Sequence, residues 1–169
     1  MDEVSREKIH VVIAGGTIDG VWDSSQDTMV VAPPSTVPSY FSHMQLYDSL
    51  VFSEVCVKDS RAITEEDRAD IAKTIEESDA KKFIITHGIY AMPETASFLE
   101  SNLKRKDVAI IFVGSKTPLK WPDSDAAFNI GYALSKIQDI KPGIYIAMNG
   151  KCLTPTLAVK ELTEGKFYS

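Results

Sequence analysis

Apolar residues fall in short runs, and the stretches between them carry helical spacing. The runs at 9–14, 51–57, 83–86, 108–113 and 144–148 have strand length. Most are unbroken rather than alternating, as expected of strands buried on both faces of a parallel sheet. Segment 64–77 opens with Thr64 and Asp67, a variant capping box, and then sets Ile71, Ala72 and Ile75 on one face. Segment 93–103 has Pro93 in its first turn, followed by Ala96, Phe98, Leu99 and Leu103. Segment 125–137 spaces Phe128, Ile130, Ala133, Leu134 and Ile137 as a third helix. Alternating strands and helices predict a doubly wound, three-layer α/β domain. Two segments break the pattern. Segment 19–38 is polar and rich in Ser, Thr and Pro, and a long loop at a strand end reads as a mobile lid. The tail 151–169 has scattered apolar positions interrupted by Pro155 and Gly165, and is expected to form an antiparallel hairpin on the sheet edge.

Composition narrows the function classes. A chain of 169 residues, 44% hydrophobic and 25% charged, fits one soluble globular domain over 1–169. The net charge of −6 argues against nucleic acid as a partner, because phosphate binding needs a basic face. The one dense basic cluster, Lys104-Arg105-Lys106, reads as a helix C-terminus meeting the macrodipole. Cys56 and Cys152 lie in or beside strand-like segments, and His10, His43 and His87 are far apart. No Cys/His spacing suggests zinc, so no metal and no other cofactor is expected. Reduced thiols, an N-terminus without the apolar core of a signal peptide, and no run near the ~20 residues of a membrane span predict a cytoplasmic protein with no membrane partner.

The chemistry-bearing stretch is Val11-Val12-Ile13-Ala14-Gly15-Gly16-Thr17-Ile18. An apolar run stops at two glycines, which allow a sharp turn and close approach of a ligand. Thr17 then stands at the carboxyl end of a strand, where open α/β sheets hold their ligands. Its hydroxyl is a candidate nucleophile. A tight β-turn with a solvated Thr is the plainer alternative.

Five further segments give this stretch a context. They are Asp59-Ser60-Arg61-Ala62-Ile63-Thr64, Thr86-His87-Gly88-Ile89-Tyr90-Ala91-Met92-Pro93-Glu94-Thr95-Ala96, Val113-Gly114-Ser115, Ser124-Asp125-Ala126-Ala127-Phe128-Asn129-Ile130, and Met148-Asn149 followed by Lys160. With Gly15-Gly16-Thr17-Ile18, in this order, the set resembles the L-asparaginase/glutaminase family over nearly the whole chain. It is similar to that family's N-terminal domain, so the expectation is a short, single-domain member. The resemblance implies a flavodoxin-like, mixed but mostly parallel sheet. It implies hydrolysis of the side-chain amide of asparagine, or a related amide, to aspartate and ammonia through a Thr nucleophile. On this reading Thr17 is the nucleophile, Lys160 the catalytic amine, and Ser60 the group that binds a substrate carboxylate.

The sequence departs from the family where Ile89 and Tyr90 replace a catalytic Thr and the Asp that grips the substrate ammonium. Tyr90 and Lys160 are the candidates for taking the nucleophile's proton, and the alternative for Tyr90 is an aromatic lining the sheet's end. Gly16, Asp59, Ser60, Gly88 and Ile89 are the candidate substrate-binding positions, with backbone N–H groups at Gly16–Thr17 or Gly88–Ile89 as oxyanion donors. Asp59, Asp19 and Asp23 are the nearby acids that could face an ammonium. Losing one charged hydrogen bond costs about 1.5–3 kcal/mol, so weak affinity or an altered substrate is expected. The resemblance also implies a dimer or tetramer acting on a small amino-acid amide. The competing class is a non-catalytic module of inherited fold that binds a small acidic metabolite or a protein partner.

Overall fold

The computed structural model describes residues 6–158. Its main sheet has six strands: β1 (Lys8–Gly15), β4 (Ser49–Lys58), β5 (Lys82–Thr86), β6 (Ala109–Val113), β7 (Gly143–Met148) and β8 (Lys151–Leu153). Their spatial order is β4-β1-β5-β6-β7-β8. All neighbours are parallel except β7 and β8. The first five follow the flavodoxin order, in which the chain leaves the first strand to one side and returns on the other. The carboxyl end of β1, between β4 and β5, is therefore the topological switch point.

The period of two along β1 builds the layers. Val12 and Ala14 face helices α2 (Glu65–Glu77) and α3 (Met92–Asn102), packing with Ile71, Ile75, Ala96 and Leu99. Val11 and Ile13 face the opposite layer, α1 (Val37–Phe41) and α4 (Ala126–Asp139), through Val37, Phe41, Ala126 and Ile130. The two layers explain why β1, β5 and β6 are almost wholly buried. Strand β4 differs from the expectation of burial on both faces: it is an edge strand with half-exposed positions along its length.

Helix α2 begins where the capping box predicts. The Thr64 hydroxyl accepts from Asp67 N, and the Asp67 carboxylate accepts from Thr64 N. The basic cluster works differently from the expectation at one position. Lys106 donates to the carbonyl of Glu100 in the last turn of α3, but Arg105 reaches across to α2, donating to the carbonyls of Ile75, Ser78 and Ala80.

The segment expected to be a loop-like lid is an ordered hairpin, β2 (Gly20–Asp23) and β3 (Thr28–Val31), paired antiparallel apart from the main sheet. The Asp23 carboxylate nucleates the turn by accepting from Ser25 N, Ser25 Oγ and Gln26 Nε2. Strands of four residues with exposed Trp22 and Met29 leave too little apolar signal to be seen in sequence. The tail does form an edge hairpin as far as β8. Asn149 (φ 52°) and Gly150 (φ 76°) supply the two left-handed positions of its turn. Lys160, and the rest of the tail from 159 on, lies outside the described residues.

Candidate active site

Three strand ends meet because glycines let their backbones touch. Gly15 and Gly16 have φ of +83° and +91°, a region strained for any side chain. A Cβ on Gly15 would lie 2.4 Å from Lys58 N, and one on Gly16 would lie 2.3 Å from Gly88 N. Gly16 N–H donates to the Lys58 carbonyl at 2.9 Å, tying β1's end to β4's. On the far side, a Cβ on Gly88 would meet the Ser60 Cβ at 2.5 Å and Oγ at 2.7 Å. Gly16, Gly88 and Ser60 are therefore stacked in direct contact, and the side chains around them open into one space.

That space is a cleft of about 750 Å³, within the usual range for a small-molecule site. It is lined by Gly16, Thr17, Asp59, Ser60, Gly88, Ile89 and Tyr90, so the described catalytic and substrate-binding candidates converge there, whereas Asp19 and Asp23 do not line it. Thr17 is half-buried and opens a single 3-10 turn, Thr17–Asp19, closed by Asp19 N donating to Gly16 O. Ser60 is buried at the start of a second such turn, Ser60–Ala62, capped by Asp59. Ile89 is buried, while Tyr90 is 70% exposed at the rim.

Of the three acids considered for an ammonium site, Asp23 and Asp59 are bonded through both oxygens, while Asp19 has one oxygen bonded and its buried Oδ2 without a hydrogen-bond partner. Asp19 is buried, and its Oδ1 accepts from Ser35 Oγ, Thr36 N and Thr36 Oγ1. Asp23 belongs to the hairpin turn. Asp59 lines the cleft, but Arg61 holds it with Nε to Oδ1 at 3.0 Å and Nη2 to Oδ2 at 2.9 Å. These bonds keep the Asp59 carboxyl below its ordinary pKa. The Arg61 guanidinium also lies 5.3 Å from the centroid of the Tyr90 ring, a cation–π contact at the cleft mouth.

Beneath the floor sits His87, with no solvent exposure. Its Nδ1–H donates to the Gly88 carbonyl at 2.8 Å, and its Nε2 accepts from Thr95 Oγ1 at 2.9 Å. Burial pushes its pKa down to about 4, against a smaller opposing effect of the Gly88 bond, so the ring is neutral. Arg68 Nε donates to the same Thr95 oxygen, and its Nη2 pairs with Glu94. The Gly88 turn is thus anchored through α3 to α2.

Two walls consist of residues not named as site candidates from the sequence. One is Ser115 and Lys116 at the end of β6. Asp125 braces this turn by accepting from Lys116 N, Thr117 N and Thr117 Oγ1, and Asn129 Nδ2 donates to Gly114 O. The stop of an apolar run at Val113-Gly114-Ser115 was the available signal. The second wall is Met29–Val31 of the hairpin; it lies in the segment read as a lid, but its strand form and the residues that face the cleft were not marked in the sequence.

The family profile described as "Asparaginase, N-terminal" matches residues 8–166. An L-asparaginase of Thermococcus kodakarensis is 31% identical over 104 residues, 60% of this chain and 32% of its own length. L-asparaginase 1 of Escherichia coli is 30% identical over 138 residues, 78% of this chain and 40% of that protein. The solved structure of the thermostable L-asparaginase from Thermococcus kodakarensis matches with a TM-score of 0.77 at 24% identity, covering 88% of this chain and 46% of that one. The last likeness shows a common fold. The chain spans less than half the length of each of these relatives.

Proposed function

The chain belongs to the asparaginase family, and from that premise we propose that its cleft hydrolyses carboxamides with Thr17 as the nucleophile. One observation carries the reading. Thr17, Ser60 and the Gly88–Tyr90 turn come from the ends of three different strands and line a single cleft at the switch point of the sheet.

In this scheme Thr17 Oγ attacks the amide carbon and forms a C–O bond. The nitrogen leaves as ammonia with the proton taken from the hydroxyl, and water then cleaves the acyl-threonine ester. Tyr90 and Lys160 are the groups assigned to move the proton. Gly16 N–H is committed to Lys58, so the oxyanion donors fall to Thr17 N–H and the Gly88–Ile89 amides. Ser60 and the turn it opens receive a substrate carboxylate. Asparagine or a related small amide is the substrate class, and assembly as a dimer or tetramer in the cytoplasm accompanies the proposal.

The replacement of the family's Thr-Asp pair by Ile89 and Tyr90 favours a second reading, a binding module without turnover. An ammonia-release assay on asparagine and glutamine separates the two. Release by the native chain that Thr17→Ala abolishes supports the hydrolase. Saturable ligand binding with no release supports the module.

A further inference from the structure

The charges lining the cleft select against the free amino acid. Among the described lining residues the one carboxylate is Asp59, against two cations, Arg61 and Lys116. Both Asp59 oxygens are already bonded by Arg61, which contributes its backbone N–H as well as its guanidinium. An incoming ammonium would have to break that fork or remain without a carboxylate partner among the described lining residues. Leaving a charged group without its partner is costly. An incoming carboxylate meets the opposite situation, with Arg61 and Ser60 on its side.

The other wall adds a second constraint. Met29, Val30 and Val31 face the cleft from the hairpin, and Ile89 stands buried where the family has Thr. These side chains make that part of the cleft lining apolar and offer an ammonium no partner. The volume of about 750 Å³ exceeds what an amino-acid amide fills.

We propose that this cleft takes carboxylate-bearing amides whose α-nitrogen is absent or acylated, rather than free asparagine or glutamine, with Arg61 as the specificity-determining residue. This rests on the amide-site reading above. Arg61 acts twice: it lends positive charge to the mouth, and it withholds Asp59 from any ammonium.

The test is equilibrium binding of succinamate, N-acetylasparagine and asparagine to the full chain carrying Thr17→Ala, so that turnover does not interfere. Succinamate is asparagine without its amino group, so the pair isolates one charge. The expected result is binding of succinamate and N-acetylasparagine at least about tenfold tighter than asparagine. Equal affinities, tighter binding of asparagine, or no binding of any of the three at about 10 mM overturns the proposal. Arg61→Met is the second arm. It frees Asp59, so succinamate should weaken about tenfold while asparagine strengthens. A merely structural role for Arg61 would weaken both together, and that result also overturns the proposal. The hydrolase reading is judged separately, by ammonia release from the native chain, so either idea can fail without the other.

Discussion

His87 and Thr95 meet at 2.9 Å under the floor of the cleft, each with no exposure to solvent. Because the Gly88 carbonyl can only accept, it fixes the proton on Nδ1 and leaves Nε2 to accept from the threonine. Folded His87 takes a proton near pH 4, against an ordinary value of 6.5. Between those values the unfolded chain binds more protons, so stability falls as pH drops from 6.5 toward 4. The loss is roughly 3 kcal/mol if His87 is taken alone. Buried His10, whose pKa is also lowered by burial, adds to it in the same direction. Urea unfolding at pH 7.5 and 4.5 measures the slope. His87→Asn retains a donor for Gly88 without titrating, and should flatten it.

The contact between Gly88 and Ser60 predicts a coupled pair. An added methyl at 88 collides with the Ser60 side chain at 2.5 Å. Gly88→Ala alone should cost about 1–3 kcal/mol of stability and weaken ligand binding. Ser60→Gly removes the colliding atoms, so the double variant should recover most of the stability but not the ligand affinity. A double-mutant cycle in urea reads the coupling.

Asp67 joins three segments. It caps α2, accepts from the Thr64 hydroxyl, and binds Lys58 Nζ at 2.7 and 2.8 Å. Its burial pushes the carboxyl up, but the bonds from Lys58 and Thr64 outweigh that and leave its pKa below the ordinary value. Its contribution is therefore present at neutral pH and disappears in acid, as pH falls through that lowered pKa. Asp67→Ala should cost about 1–2 kcal/mol at pH 7. Lys58 is 42% exposed and can return to water, which limits the loss.

Tyr90→Phe tests the proton acceptor. The ring that covers Arg61 is kept and only the phenol oxygen is lost. A role in proton transfer predicts a fall in kcat of about 100-fold or more, with affinity for a non-hydrolysed ligand unchanged. Unchanged turnover would move the role to Lys160.

The parallel sheet was legible because β1, β5 and β6 are continuous apolar runs, and α2 because Thr64 and Asp67 mark its start. The turn residues Thr17, Ser60 and Gly88 were legible through glycines and strand ends, where backbone geometry constrains composition. The partner of Asp59 was not. Arg61 sits two residues away and looks like any surface arginine until its guanidinium is seen closing on the carboxylate. Likewise Arg105 satisfies carbonyls at the end of α2 and in the loop after it, some 25–30 positions distant, and no local pattern encodes that reach. The hairpin was lost for a related reason: short strands with exposed faces are stabilised by their turn and by docking rather than by a hydrophobic period.

The hairpin β2–β3 pairs with itself and not with the main sheet, yet it forms one side of the cleft. Grafting a different two-stranded arm at Gly20 and Val31 would therefore reshape one wall of the cleft while leaving the strand that presents Thr17 undisturbed. Such modularity gives the scaffold a replaceable part through which the lining of the cleft can be changed by evolution or design.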